Sequence, residues 1–194
     1  MACHVKQNVS EGMEIAGKVG GKPLPSKCLV WASFFLRTLA AVLTLVAAAV
    51  MGTARETKSV PFTLIPGAPP LIVSVPAKYH YSSAFVYLLV ANVIASVYAF
   101  LSLILQAFGK PSSLLLCTCD VVMLGLLFSS VGASGAIGVV AHNGNSHVKW
   151  NKVCDVFDQF CKQVGAATLV AFFGALTFLL LLFLSLFNLH RRSP

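Results

Sequence analysis

Four stretches of this chain stay apolar for far longer than a soluble core element needs: residues 28–52, 81–108, 113–141 and 164–189. A helix needs about 20 apolar residues to cross the hydrocarbon layer of a bilayer. The second and third runs exceed that need, so they tilt or project beyond the lipid. Composition agrees. Only 10% of the residues are charged and 57% are hydrophobic, with a mean hydropathy of +0.84, whereas a soluble domain carries about 25% charged residues. So few polar groups cannot cover a water-exposed surface. The expected fold is an all-α membrane protein, a four-transmembrane-helix antiparallel bundle whose single membrane domain covers 28–189.

The connections set the topology. Residues 1–27 are polar and rich in Gly and Lys, which predicts a disordered tail. The first apolar run starts too late and is too long for a cleavable signal peptide. Residues 109–112 leave room only for a tight turn, so the second and third spans are antiparallel neighbours. The first long connection, 53–80, contains "VPFTLIPGAPPLIVSVP". Its prolines exclude a helix. The β-prone runs "FTLI" and "LIVSV" around "PGAPP" support a short β-hairpin over the bundle. In the second, 142–163, apolar residues at Val153, Val156, Phe157, Phe160 and Val164 fall at helical spacing and predict an amphipathic helix leading into the fourth span. The formal net charge is +8. Lys18, Lys22, Lys27, Lys110, Arg191 and Arg192 crowd the span ends on one face, and this density places both termini, with the 190–194 tail, in the cytoplasm. The two long connections are then extracellular. No basic patch is interleaved with aromatics, so nucleic acid is not a partner; the lipid bilayer is.

Two ionisable side chains lie well inside the spans, Arg37 in "FFLRTLAAVL" and Asp120 in "CTCDVVM". A charge at the centre of a spanning helix costs about 2.5–3.5 kcal/mol on an insertion scale. Counting from the cytoplasmic end of each run at 1.5 Å per residue, Arg37 lies ~13 Å deep and Asp120 ~10 Å deep. Opposite charges at matching depth on the first and third spans predict a buried ion pair. Snorkelling of Arg37 and protonation of Asp120 are the alternatives.

Small residues mark packing faces. Ala91, Ala95 and Ala99 recur every four residues in the second span, as do Ala167, Ala171 and Ala175 in the fourth; Gly132 and Gly135 stand in the third, with Gly138 continuing their spacing. Such stripes let helix backbones approach, within the bundle or between copies. Cys154 and Cys161 share the second extracellular connection, where an oxidising compartment favours a disulfide. Seven residues of regular helix span ~10 Å, beyond the ~7 Å limit for a bridge, so the disulfide and the helix from Val153 compete. Cys117 and Cys119 beside Asp120 point to different helix faces and are packing residues rather than metal ligands. His142 and His147 are solvated turn residues by default. The sequon Asn8-Val9-Ser10 falls in the cytoplasmic tail. No nucleophile elbow, zinc-protease motif, phosphate-binding loop or dinucleotide fingerprint occurs. The chain is expected to be no enzyme, with no catalytic residues, no metal and no cofactor.

Together "FFLRTLA", "AFVYLLVANVIASVYAFL", the Asp120 position and "NGNSHVKWNKVCDVFDQFCKQVG" resemble the plant Casparian strip membrane protein-like family, distantly similar to MARVEL-domain proteins. The resemblance covers nearly everything from Leu29 to Arg191. The family's intramembrane arginine and aspartate match Arg37 and Asp120. Its second extracellular loop, with a tryptophan and two cysteines, matches Trp150, Cys154 and Cys161, beside Phe157 and Phe160. The resemblance implies a four-span plasma-membrane protein with cytoplasmic termini that forms homo- and hetero-oligomers with related four-span proteins. It also implies a scaffold that organises membrane domains and recruits extracellular wall-modifying proteins. The first extracellular loop does not look like that of the founding members, which places the chain in the wider group. The alternative expectation is a small ion, proton or solute transporter using Arg37 and Asp120.

Overall fold

The computed structural model describes residues 26–62, 71–108, 113–144 and 152–192. Residues 1–25 of the expected 1–27 tail, the turn 66–70, the connection 109–112, His147 and Trp150 lie outside them, while Ser26 and Lys27 of that tail belong to the first helix. The elements are α1 (Ser26–Gly52), β1 (Arg55–Phe62), β2 (Leu71–Lys78), a single 3-10 turn (Tyr79–Tyr81), α2 (Ser83–Phe108), α3 (Ser113–Asn143) and α4 (Asp158–Arg192). Val30–Gly52, Ser83–Phe108, Leu114–Asn143 and Asp158–Phe187 are each long and apolar enough to cross a membrane.

α1 packs against α2 and α4, and α3 packs against α4 and more loosely against α2. α1 and α3 therefore stand at diagonal corners of the bundle. Met51 clusters with Phe85 and Leu88 at the end of the bundle that carries the hairpin, while Arg37 meets Ser102 towards the other, which fixes α1 and α2 as antiparallel. Small residues make these contacts close. Ala91, Ala95, Ala99, Ala167, Ala171 and Ala175 are all at most 1% exposed. Both alanine stripes thus serve the interior of the bundle rather than its outer face. Gly174 lies at the tightest crossing: a Cβ there would sit 3.2 Å from Thr44 Cγ2.

The glycines of α3 depart from the expected packing role. A Cβ at Gly132, Gly135 or Gly138 would meet no atom within 4 Å. Three-residue steps drift around a 3.6-residue helix, so these glycines form no single stripe: Gly132 is exposed, while Gly135 and Gly138 are half-buried with no neighbouring atom close to them.

The hairpin forms with Arg55 opposite Lys78 and Phe62 opposite Leu71. Its first strand covers "RETKSVPF"; of the expected run "FTLI" only Phe62 lies within the described residues. Pairing starts as soon as α1 ends, because Ala54 is fully buried and its carbonyl accepts from Tyr79 N at 3.3 Å; this clamps the base and draws polar residues into the strand. Pro61 and Pro76 are tolerated because both strands of a two-stranded sheet are edges.

The helix expected from Val153 begins instead at Asp158. Val153–Val156 form a turn whose first two amides, of Val153 and Cys154, donate to Ala141 O. The turn exists because Cys154 and Cys161 are bridged, with Cα atoms 5.6 Å apart. A regular helix would hold them too far apart, so Cys154 sits in the turn and Cys161 in the first turn of α4. Asp158 then falls at the helix N-terminus, where a carboxylate is favourable.

Candidate functional site

Arg37 sits on the buried face of α1, one turn before Ala40 and Ala41. It is 1% exposed, and Asp120, on α3, is fully buried. The two meet across the diagonal of the bundle: Arg37 Nη2 donates to Asp120 Oδ2 at 2.8 Å and Nη1 to Oδ1 at 3.2 Å. Two parallel bonds of this kind match the planar guanidinium to the planar carboxylate and are among the stronger hydrogen bonds in proteins.

α2 completes the site from one helical face, through residues four apart. Ser102 Oγ accepts from Arg37 Nη1 at 3.0 Å and donates to Ala99 O at 2.8 Å. Tyr98 Oη donates to Asp120 Oδ1 at 2.7 Å and also approaches Leu116 O at 3.2 Å. α4 closes the remaining side with Phe178, whose ring stacks on that of Tyr98 with centroids 6.2 Å apart. One ion pair, one phenol and one hydroxyl therefore join α1, α2 and α3. Arg37 Nε has no partner among the described residues. Sequence reasoning placed Arg37 and Asp120 but missed Tyr98 and Ser102; their i, i+4 spacing at the matching depth of α2 was the available signal.

The hairpin end holds a second constellation. Phe157 and Phe160 are buried beside the disulfide, and Phe160 meets Phe85 edge to face with centroids 6.0 Å apart. Glu56 of β1 accepts from Phe160 N at 2.9 Å and lies 3.3 Å from Lys58 Nζ. Its carboxylate thus sits on an otherwise unpaired amide in the first turn of α4. The sequence gives no sign of this contact, because its partners lie 104 positions apart.

The described residues contain no group of three His, Cys, Asp or Glu placed to hold a metal ion. What the arrangement shows is a bidentate pair of opposite charges inside a four-span bundle, capped by a disulfide-closed loop. A family model described as the Casparian strip membrane protein domain matches residues 26–177. The chain belongs to this family. Among members of the Casparian strip membrane protein domain family, it is 50% identical to CASP-like protein 1E1 of Ricinus communis over 81% of this chain and 83% of that protein. It is 45% identical to CASP-like protein 1E2 of Vitis vinifera over 94% and 93%, and 42% identical to CASP-like protein 1E1 of Arabidopsis thaliana over 96% and 98%. No solved structure matches it.

Proposed function

We propose that this protein is a non-enzymatic scaffold of the plasma membrane that self-associates, pairs with related four-span proteins and gathers wall-modifying partners on its extracellular side. One observation carries the reading. The charges inside the bundle are consumed by one another: Arg37 and Asp120 hold a bidentate pair, and Tyr98 and Ser102 take part of the remaining capacity. A transport path needs titratable groups in series or a water-filled lining. Among the described residues the spans hold one buried pair of opposite charges, in the half of the bundle where Ala40, Ala99, Leu127 and Phe178 form an apolar cluster, and it joins three helices.

The disulfide supports the orientation. A stable bridge belongs to an oxidising compartment, so the hairpin and the Cys154–Cys161 loop face outwards and both termini face the cytoplasm. Family membership is in keeping with a role at the cell surface.

The test is photobleaching of the tagged full-length protein in plant plasma membrane, wild type against Asp120→Asn, with chemical crosslinking of the same cells. The expected result is slow recovery and crosslinked oligomers for the wild type, with both weakened in the variant. Fast recovery without crosslinked species, or ion flux in liposomes that depends on Asp120, would overturn the reading.

A further inference from the structure

A groove of about 840 Å³ opens between α3 and α4 in the hairpin-side half of the bundle, with Phe85 of α2 at its back. Its size falls within the range of about 300–1,000 Å³ seen for ligand sites. On α3 its lining runs from Ser134 to Asn143, and on α4 from Phe160 to Leu169. Each wall spans ten residues, or nine steps, about 14 Å at 1.5 Å per residue. Half of a hydrocarbon layer about 30 Å thick is about 15 Å, so the groove is one leaflet deep.

Its chemistry is apolar along the shaft. The two hydroxyls in the lining are already engaged: Ser134 Oγ donates to Val131 O at 3.1 Å, and Thr168 Oγ1 donates to Val164 O at 2.8 Å. Thr168 also reaches Ser134 Oγ at 3.4 Å, tying the two walls together at the inner end. The polar groups lie at the opposite mouth, where His142 and Asn143 line the rim. The exposed Lys152 stands next to Val153, whose amide is bonded to Ala141 O.

Three glycines shape the walls: Gly135 and Gly138 on α3 and Gly165 on α4. A Cβ at any of them would meet nothing within 4 Å. Glycine within a helix is about 1 kcal/mol less favourable than alanine. The fold of this chain does not need that room, so the glycines keep it open for something else. A second copy's helix, about 10 Å across with its side chains, would run the full span. This groove covers half of it, ends at the Thr168–Ser134 contact, and is lined at the top by Val153 and Cys154. Its side is continuous with the apolar face that the four spans turn to the membrane, and its mouth, where His142 and Asn143 line the rim and the exposed Lys152 stands beside Val153, offers hydrogen-bond donors and a nearby positive charge to a lipid phosphate.

We propose that this groove seats one acyl chain of a phospholipid from the hairpin-side leaflet, with the headgroup at His142, Asn143 and Lys152. The bound lipid completes the packing between α3 and α4 that the side chains leave unfinished.

The test reconstitutes the full chain in phosphatidylcholine vesicles whose lipid carries a photoreactive diazirine at mid-chain, and maps the adducts after irradiation. For the wild type, adducts per residue on 134–141 and 164–169 should exceed those on the exposed α1 positions Val42, Leu45 and Val46 by roughly tenfold, equivalent to about 1.4 kcal/mol of preference. Gly138→Leu combined with Gly165→Leu should bring the groove down to the α1 level. Gly132→Leu, at a lipid-facing glycine outside the lining, should leave it unchanged. Groove adducts no denser than those on α1, or adducts insensitive to filling, would each overturn the proposal. Should the filled variant not fold, native mass spectrometry of the wild type extracted from the same vesicles decides: one phosphatidylcholine retained per chain supports it, and none overturns it.

Discussion

At the scale of single residues, the Arg37–Asp120 pair has a definite energetic signature. Burying two charges is expensive, and their attraction only roughly offsets the desolvation; removing one partner leaves an uncompensated charge and costs about 3–5 kcal/mol. Arg37→Gln and Asp120→Asn should therefore each lower the stability of the detergent-solubilised protein by about that amount, read from thermal or denaturant unfolding. The double change Arg37→Met with Asp120→Leu should recover most of the loss, because it removes both charges together. A double variant as unstable as the sum of the singles would mean that the two residues act separately. Tyr98→Phe should cost about 1.5–3 kcal/mol, the range for a hydrogen bond to a charged group. The pair was legible in the sequence because charges are rare inside spans and a fixed rise per residue turns position into depth. Tyr98 and Ser102 were not. Serines recur along these helices and satisfy themselves on nearby carbonyls, as Ser96 does on Val93 O. Residue type does not separate the serine that meets Arg37 from the one that does not; only its depth, one turn from Tyr98, does.

At the scale of elements, the same small residues have opposite meanings according to what stands opposite them. Gly174 faces Thr44, which is fully buried and fixed by bonds to Ala40 O and Ala41 O, so the neighbour cannot yield. Gly174→Val should cost about 1–3 kcal/mol through overpacking. Gly132→Ala should instead stabilise by about 0.5–1 kcal/mol, because the added methyl meets no neighbouring atom and only the helix benefits. Parallel thermal melts of the two variants check both, and equal destabilisation would show that α3 is covered at Gly132. Spacing in the sequence reveals a stripe of small side chains but not which stripe another helix covers. The three-residue steps of the α3 glycines drift around the helix, unlike the four-residue alanine stripes of α2 and α4, yet neither spacing says what stands opposite. The hairpin was legible from its turn signal and β-prone runs, whereas its register was set by the clamp at Ala54 and Tyr79. Glu56→Ala should loosen the start of α4 by leaving Phe160 N unpaired, a loss of about 0.5–2 kcal/mol by analogy with helix N-caps. Faster amide exchange at Phe160, with the centre of α4 unchanged, is the expected readout.

At the scale of the whole molecule, the number and order of the spans follow from hydropathy alone, but their placement at the corners of the bundle does not. Four antiparallel helices satisfy the same sequence pattern in more than one circular order, and side chains that cross the diagonal, such as Arg37, show which order is adopted. Orientation is the remaining global property, and the disulfide gives it a direct test. In a variant keeping only Cys154 and Cys161, with Cys3, Cys28, Cys117 and Cys119 changed to Ser, a membrane-impermeant maleimide applied to intact protoplasts should label nothing. Pretreatment with an impermeant reductant should expose both thiols to the reagent, because the loop faces outwards. Labelling that appears only after permeabilisation would place the loop in the cytoplasm and invert the bundle. Closing so short a loop removes chain entropy worth about 2.5 kcal/mol by the loop-length relation. The same reduction should therefore lower the unfolding midpoint modestly while leaving the four-span fold in place, because Glu56 and Phe85 still hold the start of α4 through Phe160. Collapse of the fold on reduction would mean that these contacts are too weak to hold α4 without the bridge.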